Sequence, residues 1–298
     1  MIFCVISLTA LCFSCDPDPV DPTPDPTPDP TPKEVTVDKA VKALSEYAQV
    51  GKIFSDTFKE SGDQLKNADL TEGKSYNVTN GSKVTGFKPD VTIKWNASNS
   101  TWDVSFFYGA SNNLCDDGYL RRGTIFVNTT GFFDKKGTHM IVTFGNYYQD
   151  DYKIEGTQNI TNLGKNASDT TLLDFEAIVT GGKITFPVTN KVVNYEETTL
   201  RQWKANQTLC ENIWYVSGTW DGISSDSIPY NLSASLANRL DYRVCCKWFR
   251  HGILDVTVPG LNVSGIPIPT FQIDYGNDTI CDKTATITIM GTTYTINM

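Results

Sequence analysis

From Val37 to about residue 65, apolar side chains recur every three or four positions: Val37, Val41, Leu44, Ala48, then Ile53 or Phe54, and Phe58, with Lys, Asp and Glu between. That spacing predicts one amphipathic helix over about 37–65, with a kink at Gly51, whose apolar stripe packs on the domain's own sheet. After Gly73 the period changes from three or four to two. Residues 92–103, 124–128, 140–144, 183–188, 254–258 and 284–289 each set apolar residues on one face of a strand. Turn chemistry separates the runs: Asn80 with Gly81, Asn112 with Asn113, Lys136 with Gly137, Gly181 with Gly182, and Asp221 with Gly222. The pattern predicts a mainly β domain over 34–298, with strands from about 74 onward joined by short antiparallel connections. An antiparallel β-sandwich and a strongly curved sheet, each with the single helix packed on it, both fit.

Two internal echoes point to related halves. Phe107, Tyr108 and Gly109 lead to Cys115, Asp116 and a strand, as Asp274, Tyr275 and Gly276 lead to Cys281, Asp282 and a strand. Tyr152 to Thr157 is matched by Trp214 to Thr219.

Composition agrees with the β reading. The 298 residues are rich in Thr, Val, Ile, Tyr and Phe and carry six Trp, residues suited to a pleated, half-buried surface. The net charge is −9, and removing the five Asp of 16–29 leaves only −4. Basic residues are scattered, with no run longer than a pair such as Arg121 and Arg122, so a phosphate-backbone partner is not expected.

Residues 1–14 form an uncharged apolar run, too short to cross a bilayer but the length of a signal-peptide core. It ends Leu11, Cys12, Phe13, Ser14, Cys15, which resembles a bacterial lipobox and marks Cys15 as the lipid attachment. Residues 15–33 then repeat Asp, Pro and Thr, with eight of the fourteen prolines. Proline fixes φ and removes a donor, so this segment predicts a polyproline II stalk of order 50 Å at roughly 3.1 Å per residue.

The acidic residues directly after Cys15 resemble the export signal of Bacteroidetes surface lipoproteins. The segment Cys115 to Gly123, the turn Glu155, Gly156, Thr157, and the run from Tyr275 and Gly276 to Cys281 and Asp282 are similar to a group of Bacteroidetes lipoproteins with no assigned activity. The resemblance covers about 40–298. It implies a lipid-anchored outer-membrane location facing the cell exterior and a β-rich fold, and it implies no chemistry. Asp226, Ser227, Ile228 and Asp278, Thr279, Ile280 also resemble the O-glycosylation acceptor of that phylum.

Catalytic and metal constellations are sparse. Apart from Cys15, five Cys remain beyond the leader (Cys115, Cys210, Cys245, Cys246, Cys281), enough for two disulfides of open pairing. The echoed Cys115 and Cys281 stand out, and small buried thiols are the plain alternative. His139 and His251 have no second ligand at zinc spacing, so no metal and no cofactor are expected. Asp116, Asp117, Arg121 and Arg122 read as a charge-paired loop. Glu155, Glu176, Glu196, Glu197 and Glu211 could supply paired carboxylates for glycoside hydrolysis, but each reads as a solvated strand or loop residue. A non-enzymatic binding protein is therefore expected, its partner a glycan or another surface protein; a periplasm-facing assembly role and a glycan hydrolase are the alternatives. An exposed aromatic strip or groove among Trp95, Trp102, Trp203, Trp214, Trp220 and Trp248 favours sugar, and an exposed apolar patch or sheet edge favours protein.

Overall fold

The computed structural model describes residues 34–68, 70–71, 75–77, 86–246, 248–277 and 281–297. The leader, Cys15, the proline-rich segment and the Asn80–Gly81 turn lie outside them. Helix α1 (Val37–Asn67) begins beside a bridge in which Val35 pairs with Leu261, and its end is closed by the Ala68 N–H donating to the Leu65 carbonyl.

The strands are β1 (Ser75–Asn77), β2 (Asp90–Asn96), β3 (Thr101–Phe107), β4 (Asn113–Leu114), β5 (Leu120–Thr129) and β6 (His139–Gln149). Next come β7 (Tyr152–Lys165), β8 (Leu172–Thr185), β9 (Val192–Lys204), β10 (Ile213–Ile223), β11 (Pro229–Ala234) and β12 (Leu240–Arg243). The last are β13 (His251–Thr257), β14 (Asn262–Val263), β15 (Ile266–Pro267), β16 (Phe271–Asn277), β17 (Thr284–Ile289) and β18 (Thr292–Asn297). All but β14 and β15 belong to one antiparallel sheet that follows chain order from β1 to β18. In it, β11 and β12 share the β10 edge and β4 pairs with β5.

Of the two architectures the sequence allows, the strongly curved sheet is the one adopted. Its concave face wraps the helix. Tyr47 meets Tyr195, Trp220 and Tyr230; Phe54 meets Phe144 and stacks on Tyr195; and Phe58 meets Phe133, Phe175 and Trp214. Residues from β6 through β11 thus contact one helix, and from Tyr47 to Phe58 most of its residues are buried, with Gln49 and Asp56 half-buried. It runs through Gly51 as one element, so the expected kink does not divide it.

Several turns expected from the sequence fall inside strands. Gly181 and Gly182 lie in β8 and Asp221 and Gly222 in β10, while the segment Glu155 to Thr157 lies in β7. The physical reason is curvature. At Gly156 (φ +120°) the β7–β8 register shifts, and a Cβ there would sit 2.8 Å from Gly182 Cα. These glycines therefore form a bulge at which two 14-residue strands bend around the helix. Gly218 (φ +137°), the counterpart of Gly156 in the sequence echo, also approaches backbone, with a Cβ site 2.2 Å from the Thr198 carbonyl oxygen. Two single-strand expectations are also corrected. Residues 92–103 are β2 and β3 joined by a turn at 97–100, and 183–188 leaves the sheet after Thr185, so that Val188 is exposed.

Candidate ligand-binding cleft

The sheet leaves one side of the helix uncovered. Lys52, Asp56, Lys59, Glu60 and Asp63 recur at helical spacing on that side and line a cleft of about 600 Å³. One wall is Phe87, Lys88 and the loop from Cys115 to Tyr119. The other wall is formed by Tyr242, Val244, Cys245, Cys246, Trp248 and Phe249.

Two disulfides hold the second wall. Cys245 is bonded to Cys210 and Cys246 to Cys281, each closing a sequence separation of 35 residues. Adjacent cysteines tie the Trp248–Phe249 loop to two elements, the 3₁₀ turn after β9 and the segment before β17. Cys281 therefore does not pair with its echo, Cys115, which is free and buried in the other wall. Burial pushes the Cys115 thiol up, so it stays protonated and unreactive. Cys245 and Cys246 lie at a turn outside any strand.

The first wall is charge-paired, as the sequence suggested. Arg121 donates two hydrogen bonds of 2.7 Å to Asp117, Lys88 pairs with Asp116, and Arg122 pairs with Asp151 at 2.5 Å. Burial opposes ionisation of Asp117, but the Arg121 guanidinium and the Tyr119 N–H together hold its carboxyl below the usual range.

On the floor, Lys52 donates to Asp56 at 2.5 Å and to the Tyr119 hydroxyl. Its ammonium lies 4.5 Å from the Tyr119 ring centre and 5.1 Å from that of Trp248, so one cation spans both walls. Gln149 donates to Asp56 at 2.8 Å, and Glu60 accepts from Tyr108 at 2.5 Å. Ser55 joins the floor to an interior network. Arg201 donates to Ser55 at 3.3 Å and to Glu197 at 2.6 Å, and Glu197 also accepts from Tyr195 and Thr199.

Glu197 is therefore a buried residue of the inner face, a correction to its reading as a solvated one. Its strand alternation with Tyr195 and Thr199 could have signalled this. Glu176, Glu196 and Glu211 are exposed and Glu155 is half-buried. His139 and His251 are exposed. Trp214 and Trp220 are core, Trp203 and Trp102 are half-buried, and Trp95 is 37% exposed. Only Trp248 among the six lines the cleft. Ser227 is exposed at the tip of the β10–β11 hairpin, where Lys191 and Lys42 hold the Asp226 carboxyl down to about 2. The Asp278 triplet lies outside the described residues.

No helix among the described residues is long and apolar enough to cross a membrane. Comparison with family models, with curated proteins and with solved structures finds no match to this chain.

Proposed function

We propose that the protein is a lipoprotein anchored through Cys15 at the outer membrane, and that its β-rich domain, raised on the proline-rich stalk, binds glycan in this cleft without catalysis. The observation that carries the reading is Trp248 and Phe249 held by two disulfides over a polar floor. Sugars offer flat C–H faces for aromatic stacking and a rim of hydroxyls that both donate and accept. The cleft matches both needs. Its five carboxylates (Asp56, Glu60, Asp63, Asp116, Asp117) are balanced by Lys52, Lys59, Lys66, Lys88 and Arg121, which suits an uncharged ligand. Its volume lies within the roughly 300–1,000 Å³ of small-molecule sites. Binding is favoured over hydrolysis because Asp56 and Glu60 already accept bonds from Lys52, Gln149 and Tyr108.

One observation favours a protein partner on another surface. Phe107, Phe126, Leu114 and Leu120 are exposed on or beside β3 to β5, and Leu114 pairs with Leu120. The two readings separate on a glycan array probed with the purified full chain in mild detergent. Glycan binding that falls about tenfold in Trp248→Ala, a loss of about 1.4 kcal/mol, is the expected result. A folded wild type that binds no glycan, or a Trp248→Ala chain that binds undiminished, would overturn the cleft reading.

A further inference from the structure

The deep end of the cleft contains a donor that the protein itself does not use. Tyr242 is 8% exposed, lines the cleft, and its hydroxyl has no hydrogen-bond partner among the described residues. Strand β12 sets it inward opposite Trp214, and its ring packs edge-on against Phe249 at 5.6 Å. Burial keeps the phenol protonated, although the Arg201 charge opposes this. A buried hydroxyl without a partner is costly unless something bound supplies one.

Its neighbours define what that partner must be. Lys52 has spent two of its three N–H donors on Asp56 and Tyr119, so a further donor remains in the cleft that Tyr242 also lines. Both bonds to Asp56 fall on its Oδ2, so Oδ1 supplies an acceptor, and Ala48, one helical turn before Lys52, supplies a small apolar surface in the same cleft. An acceptor oxygen, a donor N–H and a methyl group on one ligand would match all three. A carboxylate meets only the first of these. A hydroxyl leaves the apolar surface unfilled.

We propose that this end of the cleft receives the acetamido group of an N-acetylhexosamine, its carbonyl oxygen toward Tyr242 and Lys52, its N–H toward Asp56 and its methyl toward Ala48. The inference rests on the glycan reading and adds the sugar class. The ring attached to the acetamido group stacks on Trp248.

The test is calorimetric titration of the full chain with di-N-acetylchitobiose and with cellobiose, which differ at the 2-position alone, together with N-acetylgalactosamine and a digalacturonate. Wild type should bind an N-acetylated probe at least tenfold tighter than cellobiose. In Tyr242→Phe that preference should shrink about five- to tenfold, the worth of one buried hydrogen bond, while the melting temperature holds or rises because no internal bond is lost. Equal affinity for the acetylated sugars and cellobiose, or a preference for digalacturonate, would overturn the acetamido assignment and leave the glycan cleft standing. An unchanged preference in Tyr242→Phe would remove Tyr242 from it. A chain that binds none of these probes and no other glycan overturns both.

Discussion

Among single residues, the ion pair inside the sheet bears most directly on stability. Glu197 and Arg201 are both almost fully buried, and Arg201 also lies 4.6 Å over the Phe58 ring. Their mutual attraction and the bonds from Tyr195, Thr199 and Ser55 offset two large desolvation costs. Removing one partner leaves the other charged in the core. Arg201→Ala should therefore cost about 3–5 kcal/mol in urea unfolding, whereas the double replacement Glu197→Leu, Arg201→Met should recover most of the loss. A single variant within 1 kcal/mol of wild type would mean that water reaches the pair. The same residues lie directly behind Ser55, so the cleft floor inherits its rigidity from the core.

Within the helix, two glycines have opposite surroundings: Gly51 meets Tyr195 of β9, and Gly62 meets Phe133 in the connection between β5 and β6. A Cβ on Gly51 would meet the Tyr195 hydroxyl at 3.4 Å, an ordinary contact; on Gly62 it would sit 2.8 Å from the Phe133 ring. Gly51→Ala should therefore raise stability by up to about 1 kcal/mol through helix propensity, and Gly62→Ala should lower it by about 1–3 kcal/mol through overpacking. Thermal unfolding of both variants checks the pair. A destabilised Gly51→Ala would show that the helix needs freedom there to follow the curved sheet. The bulge at Gly156 and the close backbone approach at Gly218 serve the sheet in the complementary way, at positions where a side chain would strike backbone.

Across the whole molecule, the disulfides join parts of the chain far apart in sequence into one cleft wall. Each loop of about 36 residues contributes about 4 kcal/mol in the chain-entropy account. The double variant Cys246→Ser, Cys281→Ser should lose about that amount of stability and should lower glycan affinity, because the Trp248–Phe249 loop then keeps only the Cys210–Cys245 tether. Denaturant melts and the array described above read the two effects separately. Retained affinity in a folded double variant would assign the loop's order to its other contacts, such as the Val244 N–H to the Asn212 carbonyl at 3.0 Å.

The period of apolar residues determined by itself the single helix and the predominance of strands, because these depend on local spacing, and the short connections favoured antiparallel pairing; the strand order came only from the structure. The paired loop of Asp117 and Arg121 was also legible, since the two residues stand one turn of chain apart. Sequence could not reveal that Gly181–Gly182 and Asp221–Gly222 lie within strands, because a glycine that permits a turn equally permits a bulge, as at Gly182, or a regular strand position in close contact, as at Gly222, and only the tertiary packing selects among them. Nor could it place Glu197 inside, pair Cys246 with Cys281, or leave Cys115 free, since each depends on which segments the fold brings within reach. The cleft belongs wholly to the tertiary structure. Its floor is a polar helix stripe that looks like an ordinary solvated face, and it becomes a site only because the sheet stops short of covering it and two disulfides hold Trp248 and Phe249 at its edge.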